Sequence, residues 1–188
     1  MSKHEENYID FFRDNLGAYV FGTVAKRFHN QKCLDTVDFF CIVIWKANRA
    51  KSTIAKGLKK IDPDLDKAVR QLTRELHDQP NSKSRFKYLR AKGFRLPFAS
   101  AILTVLYPKE FTVFDLRVCE SLDGKGHGFK YLDRRKSFDS LWEGYQEFKQ
   151  CVLDTTPPNL SLREKDQWLW GESFYKALCK DIKKYRKL

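Results

Sequence analysis

The chain has 188 residues, 42% of them hydrophobic and 14% aromatic, which is enough apolar material for one buried core and excludes a disordered polybasic tail. Its 36 Lys and Arg against 24 Asp and Glu leave a net charge of +12, the electrostatic footprint of a polyanion binder, although charge alone does not choose the partner and a merely soluble basic protein is the plain alternative. Cys33, Cys41, Cys119, Cys151 and Cys179 stand far apart, without a CxxC pair or a histidine at ligand spacing, which argues against a zinc site, an iron–sulfur cluster and a secreted disulfide framework.

The opening MSKHEENYIDFF lacks the apolar run of a signal peptide, and no later stretch approaches the length of a membrane span. The expected setting is therefore intracellular and reducing, in cytoplasm, nucleoid or nucleus, with no membrane partner. Tyr8, Phe11, Phe12 and Leu16 follow helical spacing up to Gly17. Residues 19–24, YVFGTV, are β-rich in composition and are the one place where an extended piece competes with helix. Residues 35–47 read as a nearly all-round apolar, central helix through Phe39, Phe40, Ile42, Val43 and Ile44. Asp62 and Pro63 read as an N-cap and a first helical position, followed by one apolar stripe of Leu65, Val69, Leu72 and Leu76 that stops near Gln79 and Pro80. Phe138, Leu141, Tyr145, Phe148 and Val152 repeat the pattern until Pro157 and Pro158. Ser161 and Glu164 then form a capping box that opens a last helix through Leu162, Trp168, Leu169 and Phe174. With no repeat, low-complexity tract or linker, the pattern predicts an all-α fold, a single helical domain over 1–188 with room for two lobes.

The most informative stretch is 89–118, LRAKGFRLPFASAILTVLYPKEFTVFDLRV. A helix ends at Gly93, a tight turn follows, and a second helix starts near Leu96 and Pro97 with Ala99, Ala101, Ile102 and Val105 facing inward. This reads as a helix-hairpin-helix over 84–107. The small residues Ala99, Ser100 and Ala101 let two helices approach closely, and N–H groups presented at a helix N-terminus suit one phosphate. An ordinary αα-hairpin that only packs fits the same residues.

The continuation, Phe111-Thr112-Val113-Phe114-Asp115-Leu116-Arg117-Val118, makes the whole segment resemble the helix-hairpin-helix DNA glycosylase superfamily, and within it the 8-oxoguanine glycosylase-like branch. Residues 45–49 (WKANR) and 166–170 (DQWLW) resemble stretches of that branch more loosely. The resemblance implies that Asp115 is the catalytic aspartate opening the helix after the hairpin. Two departures stand out. The second glycine of the superfamily's Gly-x-Gly turn is Arg95 here, which supplies a guanidinium in place of close backbone approach. The lysine nucleophile of bifunctional members would fall 18 residues before the aspartate, where this chain has Pro97.

Breaking an N-glycosidic bond builds positive charge on the sugar, and a carboxylate beside it stabilises that charge and orients water. Asp115 suits that role; it equally suits a plain helix cap that accepts the N–H of Arg117 or Val118. The expected DNA contacts are Lys92, Gly93, Phe94, Arg95, Leu96, Pro97 and Arg117, within a basic cluster that includes Lys83, Arg85, Lys87 and Arg90. Trp45, Trp168 and Trp170 are candidates for stacking on an extruded base, as are Phe28 and Phe94, against the reading that aromatics at helical spacing are core. The loop 123–128, DGKGHG, reads as a surface loop, because it lacks the strand and GK[ST] ending of a nucleotide-binding loop. The basic end, with Lys180, Lys183, Lys184, Arg186 and Lys187, reads as a solvated tail. No metal or other cofactor is implied, apart from room for a structural monovalent cation at the hairpin. Three functions fit: a monofunctional N-glycosylase that removes a damaged base such as an 8-oxoguanine-like purine from double-stranded DNA, a non-catalytic helix-hairpin-helix DNA-binding protein, and a protein-interaction domain. None requires an obligate protein partner.

Overall fold

A computed structural model of the chain describes residues 15–123, 126 and 128–185. The predicted helical positions Tyr8, Phe11 and Phe12, the loop residues Gly124, Lys125 and His127, and the tail residues Arg186 and Lys187 lie outside the described residues. Every regular element among the described residues is helical, and none is a strand. The chain divides into two compact units, Met1–Phe94 with Val105–Tyr107, and Arg95–Thr104 with Pro108–Leu188.

The first unit opens with α1 (Leu16–Tyr19), which runs through a π-helical turn (Val20–Val24) into α2 (Ala25–Gln31). The β-rich YVFGTV is thus helical. Val20 and Val24, four residues apart on one face, are both fully buried, and burial overrides a weak local preference for strand. Asp35 N-caps α3 (Thr36–Ala47) by accepting the Asp38 N–H at 2.8 Å. Phe39, Ile42 and Val43 of α3 enter the core. Asp38 itself is buried and receives the Tyr19 hydroxyl at 2.8 Å and the Arg27 guanidinium at 3.1 Å. Burial and the adjacent carboxylate push the Tyr19 phenol well above its ordinary range. A 3₁₀ turn (Asn48–Ala50) leads into α4 (Lys51–Leu58), followed by α5 (Leu65–His77). The cap of α5 is Asp64, which accepts the N–H groups of Asp66 and Lys67, whereas the predicted cap Asp62 accepts the Asp64 N–H. Pro63 therefore sits in the lead-in turn, one residue before the cap. Val69, Leu72 and Leu76 form the predicted buried stripe.

Asn81 caps α6 (Ser82–Ala91). The helix ends where the sequence predicts, with Gly93 at φ +88°. The Gly93 N–H donates to the Arg90 carbonyl at 3.0 Å and the Phe94 N–H to the Leu89 carbonyl at 3.1 Å. This pair of bonds is the Schellman closure, which needs a left-handed residue and so selects glycine.

The next helix, α7 (Leu96–Leu106), belongs to the second unit as far as Thr104 and buries Ala99, Ala101 and Ile102. A nonhelical stretch then leads to α8 (Leu116–Asp123), a 3₁₀ turn (Phe129–Arg134), α9 (Phe138–Thr155) and α10 (Leu162–Tyr185). Ser137 caps α9, whose Leu141, Tyr145, Phe148 and Val152 are buried as the spacing predicts. The Phe148 ring packs on Phe114 at 5.2 Å and on Phe129 at 5.5 Å. Ser161 and Glu164 make the predicted reciprocal box, at 2.8 Å and 3.3 Å. Lys165, buried, ends α9 by donating to the Leu153, Thr156 and Pro157 carbonyls, which meets acceptors that a helix C-terminus leaves open. The helices α8 and α10 pack against each other.

Candidate functional site

The segment 111–114 carries no helical hydrogen bonds of its own and is buried in the second unit, so its polar groups need partners from elsewhere. Side chains from three helices supply them. The Tyr145 hydroxyl of α9 accepts the Thr112 N–H at 3.0 Å and donates to the Thr112 carbonyl at 2.7 Å. Asp166 Oδ2 of α10 accepts the Val113 N–H and the Thr112 hydroxyl, each at 3.2 Å. Ser100 Oγ of α7 accepts the Phe114 N–H at 2.9 Å. The Arg163 guanidinium pairs with Asp166 Oδ1. Burial raises the Asp166 carboxyl to about 6, against the opposite pull of Arg163 and the donors on Thr112 and Val113.

Asp115 stands where this clamped segment ends. It is half-buried, its Oδ1 accepts the Arg117 N–H at 3.0 Å, and its carbonyl accepts the Cys119 N–H at 3.0 Å. It is the N-cap of α8, so the capping role is present. The cap fixes the direction of the carboxylate, and a carboxylate with a fixed direction stabilises developing positive charge without first reorganising.

The second unit also presents exposed aromatics and a cation, Arg117, two residues beyond Asp115 in sequence. The Arg117 guanidinium lies over Trp170 at 5.3 Å and over Phe174 at 5.4 Å, and those two rings stack on each other at 5.6 Å, 8° from parallel. Trp168 is 54% exposed, Trp170 42% and Phe174 45%. Of the predicted stacking candidates, these two tryptophans are therefore at the surface. Trp45 of the first unit is half-buried and packs edge-on against Phe21 at 5.1 Å, while Phe28 and Phe94 are buried. Phe174, a position of the predicted last helix, belongs with the exposed group.

The predicted phosphate-gripping residues are arranged differently from a bare helix N-terminus. The Leu96 N–H donates to Asp133 Oδ1 at 2.8 Å, and Arg95 grips Oδ2 of the same carboxylate through Nε at 2.7 Å and Nη2 at 2.6 Å. The Phe98 and Ala99 N–H groups bond to the Arg95 carbonyl, and Pro97 has no N–H. The first turn of α7 is thus capped by the chain's own Asp133. Phe94 and Leu96 are buried. What the turn residues offer outward is Gly93 backbone, the Lys92 ammonium, paired with Glu75 at 3.2 Å, and the Arg95 side chain, 76% exposed while paired with Asp133.

A second basic cluster, which sequence reasoning missed, lies on the 3₁₀ turn that carries Asp133. Lys130 and Arg134 approach the exposed Tyr131 ring at 5.0 and 4.9 Å. Tyr131, Arg134 and Arg135 edge a hollow of about 330 Å³. The signal for it was the run KYLDRRK, whose basic residues no helical periodicity organises.

Among the described residues no group of three or more His, Cys, Asp or Glu is placed to hold a metal ion, and no helix is long and apolar enough to cross a membrane. Comparison with protein-family models, with curated proteins and with solved structures returns no match.

Proposed function

We propose that the chain binds double-stranded DNA and removes a damaged base by hydrolysing its N-glycosidic bond, with Asp115 as the catalytic residue. In that reaction the oxygen of water bonds to the sugar C1′. The C1′–N bond breaks with its electron pair going to the base, which regains a proton. Asp115 stabilises the positive charge that builds on the sugar and orients the water. An 8-oxoguanine-like purine is the first substrate to test. Pro97 stands where the resemblance puts an amine nucleophile, so the product is an abasic site and not a strand break.

The observation that supports the reading is the way Asp115 is held. Tyr145, Asp166 and Ser100 hold the backbone of residues 112–114, immediately before Asp115, and its cap on Arg117 directs this half-exposed carboxylate. The Trp170–Phe174 stack with Arg117 adds exposed ring surface of the kind that an unstacked base requires, and the net charge of +12 favours a polyanionic partner.

A second reading is a DNA binder without chemistry: Pro97 stands where the resemblance puts the nucleophile, and the net charge of +12 serves binding alone. A panel of duplexes, each with one damaged base, separates the two. The glycosylase reading expects release of a free base, strand cleavage only after alkali, and no covalent protein–DNA species when borohydride is present. Salt-dependent binding with no base released from any duplex would leave the second reading standing. A strong borohydride-trapped band would show that an amine had been overlooked and would overturn the hydrolytic assignment.

A further inference from the structure

Two acid-free basic stretches of the first unit meet at one cleft. Residues 46–60 carry six Lys and Arg and no Asp or Glu, and residues 82–94 carry five and none. The cleft, of about 790 Å³, is lined from the first stretch by Thr53, Lys56, Gly57 and Lys60, and from the second by Lys92 and Gly93.

The spacing 53, 56, 57, 60 is one face of a helix, so α4 and the residue pair that follows it turn a hydroxyl, two ammonium groups and a side-chain-free backbone patch to the cleft. The opposite stripe is the packing side, where Leu58 is 1% exposed. Among the described residues Lys56 and Lys60 make no ion pair, in contrast to Lys92, which meets Glu75 at 3.2 Å. A Cβ added at Gly57 or at Gly93 would meet nothing within 4 Å, so both glycines leave open space at the wall. Like charges gathered around a concave surface repel one another unless a counter-charge is present. Flexible ammonium groups around an open cleft match phosphates strung along a chain better than one small anion, which is bound by converging donors at short range.

Resting on the DNA-binding reading above, we infer that this cleft is a second DNA contact that takes consecutive backbone phosphates through Lys56, Lys60 and Lys92, independent of base identity. The contact is electrostatic and adds affinity without sequence preference.

The test is fluorescence anisotropy of a labelled undamaged duplex at several salt concentrations, with the parent chain, the double variant Lys56→Ala/Lys60→Ala, and a control double variant Lys26→Ala/Lys67→Ala at exposed positions outside the cleft. Loss of two phosphate contacts lowers the slope of log K against log salt by about 1.8 and weakens binding at least about tenfold at low salt. The cleft variant is expected to show both changes and the control neither. Gly57→Phe, which keeps every charge and fills the wall, is expected to weaken binding as well. If the parent binds duplex and the cleft variant matches it in affinity and slope, the cleft assignment fails while the DNA reading stands. Should the parent bind no duplex at any salt, both fail. Inorganic tripolyphosphate serves as the second probe. Tight binding of it by the parent, lost in Lys56→Ala/Lys60→Ala, would assign the cleft to a small free phosphate compound and overturn the DNA assignment.

Discussion

Asp166 of α10 holds Thr112 and Val113, just before Asp115, from far along the chain. Its carboxylate is buried, accepts from Thr112 and Val113, and pairs with Arg163, so replacing it by alanine orphans a buried N–H and a buried hydroxyl. Asp166→Ala is expected to lower stability by about 1–3 kcal/mol, read as a shift of the urea midpoint. Titration gives a second check. The folded-state carboxyl stands at about 6, above its ordinary 3.8, so the folded chain keeps this proton where the unfolded chain has released it. Its contribution is then full below the unfolded value and is lost as pH rises from about 4 to about 6. Across that window the stability of the parent minus that of Asp166→Asn should fall by on the order of 1–3 kcal/mol; a difference that stays flat with pH would contradict the burial-driven shift. Sequence reasoning identified Asp115 and its bond to the Arg117 N–H because a cap is a local pattern. It passed over Asp166 and Asp133, since their partners Val113 and Leu96 lie 53 and 37 residues away and no spacing rule reaches that far.

At the scale of elements, the features that sequence could read were those closed within one turn: the Ser161–Glu164 box, Gly93, and the buried faces of α5 and α9. Asp62 and Asp64 flank Pro63 and compete for one role, and the winner is the residue whose carboxylate reaches two N–H groups of the first turn. The Tyr19–Val24 stretch went helical because burial of Val20 and Val24 outweighs a composition that favours strand. For α10, periodicity says which side chains share a face but not whether anything covers them, which is why sequence leaves Trp168 open between stacking and core and gives Phe174 only as a position of the helix. Two glycines offer opposed tests of the helix boundaries. Gly93→Ala forces an L side chain to φ +88° and should cost about 1–2 kcal/mol. Gly57→Ala lies inside α4 with open space around its Cβ and should add up to about 1 kcal/mol. Urea unfolding of both variants reads the two signs; a Gly93→Ala chain as stable as the parent would remove the Schellman turn from the account.

For the whole molecule, the charge balance is legible from composition, whereas its arrangement is not. Lys56, Lys60 and Lys92 meet at one cleft, and Lys130 and Arg134 gather around Tyr131, only once the chain has folded. Binding to any duplex should weaken steeply as salt rises, since released counterions drive it, and Arg95→Ala should weaken all duplexes alike because a phosphate contact carries no base information. Sequence-selective loss in that variant would contradict the contact. The central claim is that Asp115 acts chemically and does not merely cap α8. The most direct measurement is single-turnover release of free base from the lesion-bearing duplex on which the parent acts fastest, with parent and Asp115→Asn both saturating. The asparagine still caps the helix, so folding and duplex affinity should stay near those of the parent while release slows by about a hundredfold or more. Release by Asp115→Asn at the parent rate would reduce Asp115 to a cap and contradict the assignment.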